Sequence, residues 1–256
     1  MQGLEIMGAI TLDEMNAVKL MNRIDSKYVT SEATLLRMLD AAAAAGYRVL
    51  ETEGARISPY DSVYYDTAGL TMFYLHHNRR LVRQKVRTRQ YVNSGDSFLE
   101  IKRKNNHGRT SKKRMAIPSD KMMDFGSIPE AADFLARYSW FQAGELSPSA
   151  RTCFSRITLV NPALTERLTI DTKLAFTNFR TGLRTTLEDA VIIELKQDGR
   201  AASQMKGILL DLRIKPLRVS KYCMAITLTD PSAKTGRFKV KVRAIEKIIG
   251  KKLTTI

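Results

Sequence analysis

The stretch RQKVRTRQY, residues 83–91, carries a basic residue at every second position: Lys85, Arg87 and Arg89 alternate with Val86, Thr88 and Gln90. Period two is the side-chain repeat of a β-strand, so the three cations share one face. Working outward, LEIKRK at 99–104 repeats the pattern with Glu100, Lys102 and Lys104. RLTIDT at 167–172 does so with Arg167, Thr169 and Asp171, and VIIELK at 191–196 with Glu194 and Lys196. Any one such stretch also fits an ordinary sheet face turned to water. Several of them, of mixed sign, fit the inward face of a curved or closed sheet. Lys85, Arg87, Arg89, Lys102, Lys104, Arg156, Arg167 and Lys196 would then share one cavity. The planar donor fork of arginine and the compact charge of lysine both suit phosphate oxygens. So many cations repel one another and are costly to desolvate. Interspersed carboxylates at Asp25, Glu100, Asp171 and Glu194 offset part of that cost.

The rest of the chain bounds the reading. Its 256 residues suit one large domain or two small ones. A net charge of +16, from 42 basic and 26 acidic residues, attracts anions: nucleic acid, lipid headgroups or polyphosphorylated ligands. Cys153 and Cys223 are the only cysteines, which excludes a disulfide framework or a thiolate zinc site and suits a reducing compartment. The N-terminus has no signal-peptide pattern, and no apolar run approaches the length of a membrane span. The expectation is a cytoplasmic protein, with peripheral contact at the inner membrane face left open by the basic exterior.

Thr11 and Glu14 suggest a capping box for a helix over about Thr11–Met21, making residues 1–21 a leading helical segment. NRIDSKYV reads as a strand, and Ser31 caps a helix over EATLLRMLDAAAAA that ends at Gly46. Strands follow to about Arg114, with a hairpin turn at NSGDS. Pro129 opens a further helix. Strands resume at RTCFSRITLV, LTERLTIDTKLAFT and VIIELK, and Ala201–Leu212 reads as a helix. His76, His77 and His107 lack metal-ligand spacing and are expected in turns. KVKVR at 239–243 reads as a final strand edge or a surface patch, within a basic extension over 237–256. Basic strands occur in both halves, so a single α+β domain over 1–256 is expected, built on an antiparallel sheet.

These pieces resemble the VTC-domain polyphosphate polymerases, as a bacterial member, within the wider triphosphate-tunnel group that includes the CYTH phosphatases. The matching stretches are RIDSKY at 23–28, VYYDT at 63–67, RQKVRTRQY, LEIKRK, KKR at 112–114, RTCFSR at 151–156, RLTIDT, VIIELK and SKYC at 220–223. The resemblance implies an antiparallel β-barrel, the triphosphate tunnel fold, with flanking helices. It implies transfer of the γ-phosphoryl group of ATP to a growing polyphosphate chain. Lys27, Arg87, Arg89, Lys102, Arg156, Arg167, Lys196 and Lys221 would line the reaction site. Lys85, Lys104, Lys113 and Arg114 would bind the nucleotide or chain. Glu194, helped by Glu100, would hold Mn²⁺ or Mg²⁺ against phosphate oxygens. The sequence departs from the family pattern at Asp25, where glutamate is frequent, and at Phe154, where tyrosine is common.

The implied partners are ATP and inorganic polyphosphate, with an anionic membrane surface compatible and no specific nucleic acid. A terminal polyphosphate oxygen is already anionic and needs no general base, which fits a site poor in histidine. Two alternatives remain open: a metal-dependent tunnel triphosphatase or polyphosphatase, and a non-catalytic module binding polyphosphate or inositol phosphates. Nucleic-acid binding lacks a zinc finger, a helix-turn-helix or an exposed aromatic-basic platform.

Overall fold

In the computed structural model, residues 1–17, 23–199 and 201–253 are described. The elements in chain order are α1 (Gln2–Ile6), β1 (Gly8–Ile10), α2 (Leu12–Ala17), β2 (Arg23–Ser31), α3 (Glu32–Ala44), β3 (Arg48–Leu50), β4 (Ser58–Asp66) and α4 (Thr71–His77). Next come β5 (Arg83–Tyr91), β6 (Ser97–Lys104), β7 (Thr110–Ala116), α5 (Pro129–Tyr138), β8 (Ser147–Val160), β9 (Glu166–Asn178), β10 (Arg184–Leu187) and β11 (Ala190–Asp198). Three helices close the chain: α6 (Gln204–Asp211), α7 (Lys221–Thr229) and α8 (Lys239–Ile249).

One large sheet organises the fold, in the order β2-β11-β9-β8-β4-β5-β6-β7, with every neighbouring pair antiparallel. The alternation read from the sequence divides its two faces. Ile157, Leu159, Leu168, Ile170, Val191, Ile193 and Leu195 point outward and pack under α3 and α6. Val86, Leu99 and Ile101 point outward under α5, against Leu135 and Phe125. The charged residues at the intervening positions take the inner face.

Helix α3 follows its sequence signals: the Ser31 hydroxyl accepts from the Thr34 amide at 3.3 Å. Leu35, Met38, Leu39 and Ala42 form its buried stripe. Gly46, at φ 76°, turns the chain away after the helix. Helix α7 is different. Every residue from Tyr222 to Thr229 is buried, and the helix fills one end of the inner face against Tyr64, Phe154, Leu174, Phe176 and Ile192.

The expected barrel is not closed. Strands β2 and β7 are the two edges of the sheet, and among the described residues no strand pairing joins them. The segment 216–221 spans part of the opening instead. The Leu217 amide donates to the Lys27 carbonyl on β2 at 2.8 Å. Ser220 accepts from Lys85 on β5 at 2.9 Å, and Lys221 pairs with Asp171 on β9. Strand β7, exposed along nearly its whole length, has no further strand to meet. The result is a curled sheet around a charged lumen.

Other expectations need correction. The leading segment is not one helix: α1, β1 and α2 divide it, and residues 18–21 of the expected helix lie outside the described ones. Its capping box does form, with the Thr11 amide donating to Glu14 at 2.8 Å. His76 and His77 end helix α4 and do not lie in a turn. KVKVR opens helix α8, which packs Val242, Ile245, Ile248 and Ile249 against the α7 cluster.

Candidate active site in the lumen

Three carboxylates anchor the inner face, each held by two cations. On β11, Glu194 accepts from Lys27 of β2 at 2.5 Å, with Lys196 at 3.9 Å along the same strand. On β9, Asp171 takes a bidentate bond from Arg156 of β8, at 2.6 and 2.9 Å, and a second cation from Lys221 at the start of α7. On β6, Glu100 accepts from Arg87 of β5 at 2.6 and 2.8 Å and pairs with Lys112 of β7. Cross-strand register produces all three: Glu194 lies opposite Lys27, Arg156 opposite Asp171, and Arg87 opposite Glu100.

Each group of three keeps a net positive charge, and further cations add to it. Arg89 is buried and, among the described residues, donates only to the Ser62 hydroxyl, at 3.0 Å. Lys85 donates to Ser220. Lys102 lies between the Lys85 and Lys112 positions on the lumen side and, among the described residues, forms no ion pair. Arg167 stands opposite Lys196 across β9 and β11. Tyr60 and Phe154 stack at 5.3 Å beneath these charges. The Arg89 and Arg156 guanidinium groups lie over both rings, and the Lys221 ammonium is 4.2 Å from the Phe154 centroid. Phenylalanine at 154 therefore supplies an apolar floor for three cations.

Titration follows from this crowding. Burial raises the Glu194 carboxyl, but Lys27 and Lys196 outweigh it and hold the group at about 2. Asp171 is held far below the carboxylate range: burial opposes, and Arg156 and Lys221 prevail. Glu100 behaves alike under Arg87, Arg89 and Lys112. Burial, with Arg167 and Arg156 nearby, pushes Lys196 down to about 8. Burial and Arg156 push Lys221 to about 8 as well. Lys102 is driven well down, by Arg87 first and burial second. Burial raises the Tyr64 phenol, yet Arg87, Arg89, Lys85 and Lys221 together bring it to about 8.

The expected site residues divide accordingly. Lys27, Arg87, Arg156, Lys196, Lys221, Glu100 and Glu194 meet in the three ion-paired groups. Arg89, Lys85, Lys102 and Arg167 lie on the same face. Lys104 stands at the end of that face, opposite Arg83. Arg114 faces Glu100 across the β6–β7 pair and covers the Phe98 ring at 4.8 Å. Lys113 does not join them. It is opposite Ile101 on the outer face, over the Tyr138 ring of α5 at 5.3 Å. Alternation along β7 makes Lys112 the inward lysine. Tyr64 was missed: Arg87 donates to its hydroxyl at 2.9 Å. The same period of two carries Ser62 and Tyr64 inward together, which is the signal that would have found it.

The carboxylates meet cations and not each other. Among the described residues no three His, Cys, Asp or Glu side chains gather as a protein-only metal cage. Glu194 is the partly accessible one, and Glu100 is fully buried in its ion pairs.

An antiparallel sheet curled around inward-facing arginines and lysines defines a class of proteins with a basic lumen that attracts anions. The comparisons make the family explicit: the VTC domain model matches residues 22–229, and the chain belongs to that family. A search of the curated proteins finds no match. Among solved structures, the chain is similar to HpAC1 from Hippeastrum, a protein assigned as an adenylyl cyclase and described as having a dominant triphosphatase activity. The TM-score is 0.53 at 15% identity, over 79% of this chain and 94% of that one. PH1819 from Pyrococcus horikoshii matches at a TM-score of 0.44 and 10% identity, over 78% of this chain and 97% of that one. The first likeness supports the tunnel-type fold. No helix of the described residues is long and apolar enough to cross a membrane.

Proposed function

We propose that the protein is a polyphosphate polymerase that transfers the γ-phosphoryl group of ATP to the end of a growing polyphosphate chain. The observation that carries this reading is the commitment of Glu194, Asp171 and Glu100, on the lumen face, to cation pairs. Glu194, Asp171 and Glu100 are held so far below the ordinary carboxylate range that each is a poor base toward water. A terminal polyphosphate oxygen is already charged and needs no base. The lumen would supply what remains of phosphoryl transfer: alignment of the attacking and leaving oxygens, and neutralisation of their charge.

Arg89, Lys85 and Lys102, which hold no carboxylate, are the donors left for phosphate oxygens. Arg87 and Arg156, fixed in orientation by Glu100 and Asp171, present their remaining N–H groups to the lumen. A divalent ion fits Glu194 best, since Mg²⁺ typically takes one or two carboxylates and completes its shell with phosphate oxygens and water. When bound there, such an ion would neutralise phosphate charge; Lys27 and Lys196 then become free to turn toward the substrate. Lys221, at the N-terminus of α7, adds its charge to the helix dipole at the same place.

A second reading is a triphosphatase on the same sheet. It draws on the activity described for the Hippeastrum protein and on the Tyr64 phenol: lowered to about 8, it is part phenolate near neutral pH, and the phenolate is a stronger base toward water than the carboxylates. Incubation with γ-labelled ATP and Mn²⁺ or Mg²⁺, with and without a short polyphosphate primer, separates the two. A primer-stimulated ladder of labelled chains supports the polymerase; labelled orthophosphate alone supports the triphosphatase.

A further inference from the structure

At one end of the lumen lies a group of cations that the three carboxylates do not reach. Arg83 and Lys104 face each other across the ends of β5 and β6. Lys85 is one step further in, bonded to the Ser220 hydroxyl. Lys241, on α8, donates to the Arg218 carbonyl at 2.6 Å. This bond ties the last helix to the segment that spans the lumen opening. His76, at the end of α4, lies among them with Nδ1 3.1 Å from the Cys223 thiol.

Burial and the charges of Lys85, Arg83, Lys241 and Lys104 push the His76 imidazole down to about 2. It is neutral and adds no further positive charge to the group. Among the described residues, none of Arg83, Lys85, Lys104, Arg218 and Lys241 forms an ion pair with a carboxylate. Among the described residues, their side-chain hydrogen-bond partners are the Ser220 hydroxyl and the Arg218 and Arg80 carbonyls. Elsewhere in the lumen Glu194, Asp171 and Glu100 each serve two cations. Here five cations are left for a ligand that brings several negative charges in a row.

We propose that this end of the lumen is a second phosphate-chain site, where Arg83, Lys104, Arg218 and Lys241 hold the part of the polyphosphate beyond the reacting end and thereby set product length. The proposal rests on the polymerase reading for its consequence, product length, but not for the binding itself. Lys241 lies outside the stretch matched by the family model, so the track joins the family sheet to a helix beyond it. Arg218 is exposed, and Lys104 and Lys241 are half-buried, which leaves their charges accessible to a chain that enters or leaves there. Bound tightly, a long chain would dissociate slowly between additions; held only by the lumen, it would fall away after fewer.

The test uses the full chain and the double variant Arg218→Ala/Lys241→Gln, with tripolyphosphate and a long linear polyphosphate as probes. Tripolyphosphate affinity is expected to stay within about twofold, because the lumen is intact. Long-chain affinity is expected to fall roughly tenfold. The slope of log affinity against log salt should drop by about two, one for each lost phosphate contact. Where the wild type makes polymer, the variant should make shorter chains at an unchanged initial rate. Unchanged long-chain affinity and salt slope in a variant that melts like the wild type would overturn the proposal. So would an oligonucleotide of matched charge that binds as tightly as polyphosphate and loses affinity equally. A protein that makes no polymer but shows the selective loss of long-chain binding would refute the polymerase reading and leave this site standing. The single variant Arg218→Ala, which removes no α8 contact, gives the same comparison should the double variant fold poorly.

Discussion

Two arginines on the same face of one sheet should respond in opposite ways to the same substitution. Arg89 is 6% exposed and, among the described residues, forms no ion pair with a carboxylate. Burial, with Arg87 and Arg156 close by, pushes it down to about 10, against an ordinary guanidinium above about 12. At about 1.4 kcal/mol per factor of ten, keeping it charged costs the folded protein about 3 kcal/mol. The sign follows from linkage: a cation whose folded value is depressed carries its full cost below that value, hence at neutral pH. Arg89→Met removes the cost. It also removes the bond to Ser62, worth about 1 kcal/mol, and the contacts with Tyr60 and Phe154, worth about 0.5 kcal/mol each. The net gain is about 1 kcal/mol. With an unfolding entropy of about 2.1 cal/mol/K per residue, that is a rise of about 2 °C in Tm.

Arg156→Met should do the reverse. It leaves the buried Asp171 with Lys221 alone. Breaking a buried pair costs about 3–5 kcal/mol, or about 6–9 °C on the same scale. Calorimetry of both variants in phosphate-free buffer measures the contrast. Tripolyphosphate affinity, by titration calorimetry, should fall at least tenfold in each. If Arg89→Met melts as low as Arg156→Met, Arg89 is a structural residue, and the reasoning that reserves it for phosphate fails.

Glu194→Gln should reduce turnover at limiting Mn²⁺ by about 10- to 100-fold while the protein stays folded by circular dichroism; unchanged turnover there would remove the metal-ligand role. Lys196 and Lys221 titrate at about 8, so both are charged below that pH and lose charge as pH rises through it. Tripolyphosphate affinity should then fall from pH 7 to pH 9.5 while the stability of the ligand-free protein rises over the same range, since the unfolded chain keeps those protons longer. Binding at pH 8 should take up protons, seen as a heat that depends on the buffer, and Lys221→Arg should diminish it. Phe154→Tyr, which sets a hydroxyl beneath three cations, should change stability by about 1 kcal/mol or less; a larger loss by calorimetry would contradict the floor role given to the ring.

The strands were legible because period two shows wherever one face is charged and the other apolar. RQKVRTRQY, LEIKRK and VIIELK all form strands with Arg87, Glu100 and Glu194 on the inner face. Register within a stretch was harder. KKR at 112–114 offers three consecutive cations, and only pairing with β6 decides that Lys112 and Arg114 turn inward and Lys113 outward. Helix α7 gave no helical period because it is buried on all sides, so SKYCMAITL shows no polar face. KVKVR alternates like a strand, yet Phe238, Val242, Ile245 and Ile249 recur at helical spacing across it and decide the outcome. Closure of the sheet is a property of its two edges, which are far apart in sequence, and no local pattern reports it. Tyr64 illustrates a different limit: its value as a site residue comes wholly from four cations on other parts of the chain.

Phosphorus NMR of the protein with ATP and Mn²⁺-free Mg²⁺ buffer, followed in time, tests the central claim most directly. Growth of an internal-phosphate resonance as ATP is converted to ADP is the predicted result. ATP consumed with orthophosphate as the sole new signal would contradict it.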